Sequence, residues 1–391
     1  MRTIIAAIPL GLAIFGLALS VPATAHDRFH ILHTFLDEGD GGTSNAPVIM
    51  DRKGNVYGTA LQGGANNDGV IFKITPKGEL STLYSFAGGN DGDKPEAGLV
   101  MDASGNFYGT TNLGGPSDQG TAFKLAPDGT ETVLHAFTGG SDGGYPQASL
   151  ILDKAGNLYG TTVSGGRGCS DGCGTIFRIA PDGSFTTLYA FTGGNDGWFI
   201  MSGLLADEKG NLYGTAQVGG AHGFGAVFRL SRTGALKVLY AFQGGYDGAY
   251  SQAGLIRDAS GNLYGTTRGG GGGSACGDEG CGTIFKLAPD GTETVLYAFK
   301  GGSDGGEPYG GVTADSVGNL YGTTITGGDV GFGVVFELRS GGTLKSLHIF
   351  QGASDGAWPE AGVALDGSGN VYGTAYAEGP DGWGTVFKIR P

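Results

Sequence analysis

The hexapeptide Gly-Asn-x-Tyr-Gly-Thr occurs seven times in this chain, its tyrosine falling at Tyr57, Tyr108, Tyr159, Tyr213, Tyr264, Tyr321 and Tyr372. Successive copies lie 51, 51, 54, 51, 57 and 51 residues apart, so the chain is one supersecondary unit written seven times. A period near fifty that holds several short strands marks a β-propeller blade.

The third copy shows how four strands fit into one period. Residues 148–153 (ASLILD) form a short apolar run, and a Lys-Ala-Gly turn leads into residues 157–162 (NLYGTT). A glycine-rich stretch then precedes residues 174–179 (GTIFRI), and Pro181-Asp182-Gly183 turns the chain into residues 184–191 (SFTTLYAF). Alternation and β-branched or aromatic content make all four segments strands. The two ends of the chain are complementary. Residues 29–35 match the fourth strand of a copy and residues 384–389 the third, so the amino-terminal strand supplies the missing outer strand of the last blade. The expected fold is all-β: a seven-bladed propeller, four strands per blade and 28 strands in all, spanning residues 26–391 as one domain. Two phenylalanine series, Phe72 to Phe387 and Phe35 to Phe350, form its core. Burying each large apolar side chain contributes roughly 1.5–3 kcal/mol, which offsets the entropy of so much loop.

Residues 1–25 read as a leader. Arg2 precedes an apolar run from Ile4 to Leu19, and Ala23-Thr24-Ala25 is a small-x-small cleavage site. Export to the periplasm or beyond the cell is expected, with no membrane insertion after cleavage. Loss of Arg2 takes the formal charge from -14 to -15. An acidic surface without a basic cluster excludes nucleic acid as a partner. Cys169/Cys173 and Cys276/Cys281 are two local pairs, read as disulfide clips in an oxidising compartment; a shared four-thiolate zinc site is the alternative.

The segments GNLYGTT followed by GG, then GTIFKLAPDG and VLYAF, closely resemble the glycine-rich GloVer tandem repeat family of exported bacterial proteins. The resemblance covers nearly all of the chain after residue 25. It implies a propeller-like fold and a Gram-negative or acidobacterial type of envelope, and it implies no particular activity. Members often carry a carboxy-terminal anchor; with Pro391 directly after the last strand, none is expected here. Kelch repeats share the period and the double glycine, but their fixed tryptophan is absent, as is the sialidase-type Asp-box.

A residue present in every blade serves the blade before it serves a ligand. The repeated Asp40, Asp91, Asp142, Asp196, Asp247, Asp304 and Asp355 are read as turn acceptors, with a calcium-binding carboxylate ring as the alternative and no other cofactor or metal expected. Function belongs where the copies differ, on the face that surrounds the mouth of the central channel. Three residues after the repeated Asp stand Thr43, Lys94, Tyr145, Phe199, Tyr250, Glu307 and Trp358; five after it stand Asn45, Glu96, Gln147, Met201, Gln252, Tyr309 and Glu360. Aromatic faces beside carboxylates and amides suit a sugar, whose rings stack while its hydroxyls are hydrogen-bonded. The expected ligand site is therefore Lys94, Glu96, Tyr145, Gln147, Tyr250, Gln252, Glu307, Tyr309, Trp358 and Glu360. A plug of the channel is the competing role for the aromatics, and Trp198 to Met201 read as local packing. Loops between second and third strands add Arg167, His222, Phe224, Arg268, Asp329, Phe332, Asp381 and Trp383. His33, His135 and His348 take a place held elsewhere by tyrosine and read as structural.

The favoured reading is a monomeric, non-catalytic propeller that binds a polar small molecule or glycan. A glycoside hydrolase or polysaccharide lyase is the first alternative, for which Glu96, Glu307 and Glu360 are the available carboxylates. A structural or adhesive envelope protein, with another envelope protein as partner, is the second.

Overall fold

The computed structural model describes residues 28–36, 39–166, 168–170 and 172–391. The leader and Arg167 lie outside the described residues. Within them are 28 strands, β1 to β28 in chain order, and no helix. They form seven four-stranded antiparallel sheets. In the first blade β2 (Ile49–Met50), β3 (Val56–Ala60), β4 (Val70–Ile74) and β5 (Leu80–Ser85) run from channel to rim, and the next five blades repeat this order. The seventh is β26 (Ala364–Leu365), β27 (Val371–Ala375), β28 (Thr385–Ile389) and then β1 (Phe29–Thr34), with Phe29 opposite Ile389 and Thr34 opposite Thr385. The amino-terminal strand closes the ring, as its sequence predicts.

Three of the four expected strands in the third copy fall within a residue of their positions, but the innermost is only Ile151–Leu152. The residues before it do continue as alternating backbone. Ala148 and Leu150 are buried among core residues, while Gln147 and Ser149 face the channel. Only Ile151 and Leu152 pair with the second strand, opposite Tyr159 and Leu158, so extended conformation outlasts pairing.

Each residue of the repeated hexapeptide has a structural task. In blade one, Gly54 takes φ 79° in the turn, and Asp51 Oδ1 accepts the backbone N–H groups of Lys53 and Asn55. Asp51 Oδ2 accepts Asn55 Nδ2–H at 2.7 Å and the Tyr57 hydroxyl at 3.0 Å. The second glycine, Gly58, is needed for space: a Cβ there would lie 2.5 Å from the Phe72 ring. The threonine reaches across the seam, Thr59 Oγ1 donating to Ala97 O of the next blade at 2.9 Å. Equivalent bonds follow from Thr161, Thr215, Thr266, Thr323 and Thr374, the last to Ala46 across the closure.

The two phenylalanine series meet at those seams. Phe35 packs edge-on to Phe72, and each later seam repeats the contact through to Phe350–Phe387, with centroids 5.1–5.5 Å apart. All fourteen rings are fully buried. The repeated Asp residues act as turn acceptors: Asp91 takes the Ala87 N–H and the Tyr84 hydroxyl, and Asp142 takes the Thr138 N–H and pairs with His135. His33 and His348 pair with Asp40 and Asp355 in the same way, at 2.8 and 2.7 Å, which gives these histidines their structural role. Both cysteine pairs are disulfides, Cys169–Cys173 and Cys276–Cys281, and not a shared zinc site. Such clips belong to chains that fold in an oxidising compartment.

Carboxylates of opposite character set the pH range of the fold. Burial raises the seven hairpin aspartates, Asp51 among them, but the hydrogen bonds from Asn, backbone and Tyr prevail and hold each below its ordinary 3.8. Their stabilisation is present above that value and lost as pH falls beneath it. Glu131 and Glu293 are pushed up to about 7 by burial and by Asp91 and Asp247 respectively. Their contribution is full below the ordinary 4.5 and lost as pH rises through 7. The melting temperature should therefore peak at roughly pH 4–5 and decline on both sides. In the double variant Glu131→Gln/Glu293→Gln, a pH series of thermal melts should show the alkaline decline flattened and the acid decline unchanged.

Candidate functional site

The connections that enter the blades and the loops between second and third strands lie together on one face, as the sequence reading requires. Gly42 bridges Gln62 of its own blade, and Thr43 N–H donates to Trp383 O of the preceding one. The ten expected ligand residues separate on this face into two tiers. Glu96, Gln147, Gln252, Tyr309 and Glu360 line a single cavity of about 350 Å³ in the channel, and Asn45 and Met201 complete their seven-membered ring. Lys94, Tyr145, Tyr250, Glu307 and Trp358 do not line it; with Thr43 and Phe199 they form an outer rim.

The rim has a backbone feature that the sequence does not announce. All seven of its residues have positive φ, between 51° and 59°. For a bulky L-residue this conformation costs roughly 1 kcal/mol or more. The cause is a pair of hydrogen bonds. In six copies the rim N–H donates to the preceding blade, as Lys94 does to Asp68 O and Glu307 to Cys281 O. The rim carbonyl accepts from the residue just beyond the second strand, as Lys94 O does from Asn112 and Trp358 O from Tyr376. Glycine would satisfy this geometry without strain, and the chain has 82 glycines, yet none stands at any of the seven positions. The backbone needs the conformation and does not need the side chain.

Beneath the ring of Asn45 to Glu360, two residues further on, lies a belt of Pro47, Gly98, Ser149, Gly203, Gly254, Gly311 and Gly362. Neighbouring blades approach closely here: a Cβ on Gly311 would stand 2.7 Å from Gly254 O, and one on Gly362 2.9 Å from Gly311 O. Gly203 and Gly254 differ, since a Cβ on either meets nothing nearer than 3.6 Å and neither has positive φ. What their lack of a side chain provides is room in the channel.

A third group, invisible to the sequence reading apart from Arg268, sits just past each second strand. Asn112 Nδ2–H donates to Glu96 Oε1 at 3.1 Å, and Gln217 Nε2–H to Gln252 Oε1 at 2.6 Å. Arg268 Nε–H donates to Glu307 Oε2 at 3.2 Å, while its guanidinium lies 5.3 Å from the Tyr309 ring centre. The signal was available: the fourth residue after each repeated tyrosine varies as widely as the rim does.

The charged groups of the cavity are Glu96 and Glu360, on the blades either side of Asn45; among the described residues no Lys, Arg or His lines it. Burial raises Glu96, opposed by the Asn112 hydrogen bond and the Lys94 charge. Burial and the Glu96 charge push Glu360 up to about 7. Tyr376 is raised by burial and then by both carboxylates. Asn45 Oδ1, Gln147 Oε1 and Asn112 Oδ1 are buried acceptors with no hydrogen-bond partner. Among the described residues no three His, Cys, Asp or Glu side chains gather as a metal-ion cluster.

Other expected contributors lie elsewhere. His222 is exposed on its loop, and Asp329 borders an outer groove beside Phe29 and His348. Phe224 and Phe332 pack against Tyr250 and Trp358, and Trp383 covers Gly42. Trp198 and Ile200 do pack, but Phe199 is 38% exposed and Met201 faces the channel.

These features define a seven-bladed propeller with a polar, rimmed channel site. The chain belongs to the Gloeobacter/Verrucomicrobia repeat family, whose model matches residues 43–277 and 273–391. Its fold is similar to that of the extracellular domain of a candidate one component system, BT4673, from B. thetaiotaomicron, with TM-score 0.55 and 10% identity over 92% of this chain and 39% of that one. A candidate 6-phosphogluconolactonase from Bacteroides uniformis matches with TM-score 0.54 and 13% identity, over 82% and 89% of the two chains. Puromycin hydrolase matches with TM-score 0.56 and 15% identity, over 88% and 51%. At such identities the likeness is one of fold. No curated protein matches the chain by sequence.

The strained rim leads to an inverted substitution pattern. Trp358→Gly and Tyr250→Gly should each be more stable than the matching alanine variant, by roughly 0.5–1 kcal/mol in urea unfolding. Alanine more stable than glycine at both sites would show that the left-handed backbone is not imposed there.

Proposed function

We propose that this is an exported, non-catalytic binding propeller that holds a polar ligand, a glycan, in the mouth of its channel. The observation that carries this reading is the cavity itself. Its variable side chains converge on about 350 Å³, within the range of small-molecule sites, and leave buried acceptors on Asn45 and Gln147 without partners. The aromatic rim of Tyr145, Phe199, Tyr250 and Trp358 supplies stacking faces outside it. Two disulfides and the amino-terminal leader support export, to the periplasm or the cell exterior. A monomer accounts for the reading, since each ring holds a complete channel.

One observation favours an enzyme as the second reading. Glu360 is held near 7 beside Glu96, and paired carboxylates of different proton affinity are what glycoside hydrolysis uses. Glu307 does not join them; it is engaged by Arg268 on the rim. The lyase version is weaker, because His222 lies outside the cavity.

A glycan-array screen of residues 26–391, with mass spectrometry of every hit, separates the readings. Binding without new products is the expected result; cleaved or unsaturated products, lost in Glu96→Gln and Glu360→Gln, would establish the enzyme. A blank array with binding to whole envelopes would favour the structural or adhesive role. On any hit, Trp358→Ala or Tyr250→Ala should weaken binding roughly tenfold. Gly254→Leu, which projects into the open belt, should abolish binding with the melting temperature little changed. Unaltered affinity in Gly254→Leu would remove the channel as the site.

A further inference from the structure

We infer that the channel selects a ligand bearing a primary ammonium group, held between Glu360, Asn45 and Glu96. The inference rests on the binding reading above and names the class of glycan: one with free amino groups on its sugars. Two carboxylates are the charged groups of the lining, and among the described residues no basic side chain lines it to balance them. Of the described cations near the cavity, none lines it. Arg268 is bonded to Glu307, and Lys94 is an exposed rim residue. A neutral sugar would leave Glu360 to keep its proton beside Glu96, whereas a cation would be stabilised by the ionised pair.

The acceptors also match an ammonium in number. A primary ammonium has three N–H donors. Glu360, Asn45 and Glu96 come from three consecutive blades in ring order, and Asn45 Oδ1 is buried without a donor. Charge-assisted bonds to two carboxylates are among the strong hydrogen bonds available to proteins. Tyr309, also of the lining, already carries a cation against its ring, the Arg268 guanidinium at 5.3 Å from its centre. Calcium fits less well, since it takes six to eight oxygen ligands and two carboxylates with scattered amides provide fewer.

Without ligand, burial and then the Glu96 charge favour the protonated form of Glu360 and push it up to about 7. An ammonium takes the place of that proton. The groups facing Glu360 are Glu96 with Lys94 behind it from blade two, Tyr376 from its own blade, and Tyr309 with Arg268, Glu307 and Glu279 beyond. Glu360, pushed up to about 7, takes up a proton as pH falls toward 5, so acidification should weaken binding of an amine.

The test compares fully deacetylated glucosamine tetramer with its N-acetylated counterpart by isothermal titration calorimetry on residues 26–391, at pH 7 and pH 5. The amine tetramer should bind at least tenfold tighter at pH 7, and its affinity should fall by about tenfold or more at pH 5. Glu360→Gln should remove both the preference and the pH dependence, while thermal melts show the ring intact; Glu96→Gln provides the same test from the other side. Equal or tighter binding of the acetylated tetramer overturns the inference and leaves the glycan-binding reading standing. Binding of neither tetramer overturns the inference, and overturns the glycan reading as well if the array is also blank. Heat evolved with calcium chloride alone, and none with the amine, would likewise overturn it.

Discussion

Everything in this ring depends on the seam between blades, where a phenylalanine from one sheet lies edge-on to a phenylalanine of the next under a glycine that leaves it room. A blade has two faces of apolar side chains and cannot bury either alone. The Phe–Phe contact, repeated at 5.1–5.5 Å around the ring, covers both at once. The threonine hydrogen bond beside it fixes the radial position of one blade against the next, because it is directional where the aromatic contact is not. Removal of the Cβ at Gly58 and its equivalents is what allows the two to coexist. Glycine costs strand stability at these places, and the buried rings offset that cost.

Structure and candidate function are thereby placed on different atoms of the same short segment. At the rim the backbone N–H bonds to the preceding blade and the C=O to the residue just beyond its own second strand, while the side chain stays off the cavity lining. Two residues on, the side chain faces the channel; a further two on, it is reduced to hydrogen in five of the seven blades. The channel is thus shaped by alternation along one extended stretch per blade. Its polarity arises from seven separate choices, and two of those are carboxylates close enough for one to alter the proton affinity of the other.

The architecture was legible because repetition amplifies weak signals. A single GNLYGTT would say little, but seven copies at near-constant spacing make the blade, and the mismatch between first and last strands makes the closure. The variable positions were legible for the same reason, by contrast with their constant surroundings. What could not be read was tier. Lys94 and Glu96 are two residues apart and both vary, yet only Glu96 enters the cavity, because positive φ at Lys94 turns its side chain outward. That φ comes from a hydrogen bond to Asp68 in another blade, a long-range cause with no local sequence mark. Asn112, Gln217 and Tyr376 were missed because their partners lie in other segments of the chain. The inner strand was overextended because alternation reports burial, not pairing.

The closure of the ring by β1 has a temporal consequence. The strand that completes the seventh blade is made first, and its partner β28 is made last, with nearly the whole chain between them. Six blades can form in order as their residues arrive, each from contacts that are local within about fifty positions. The seventh must wait for both ends, and until then the Phe–Phe seams on either side of it stay open to water. The span itself adds little to the entropy of closure, which grows only with the logarithm of loop length. The hazard of the waiting period is exposure: an unpaired β1 is an edge that a second copy of the chain could also satisfy. Assembly of this ring is therefore a race between its own last strand and its neighbours, and dilution decides in favour of the ring.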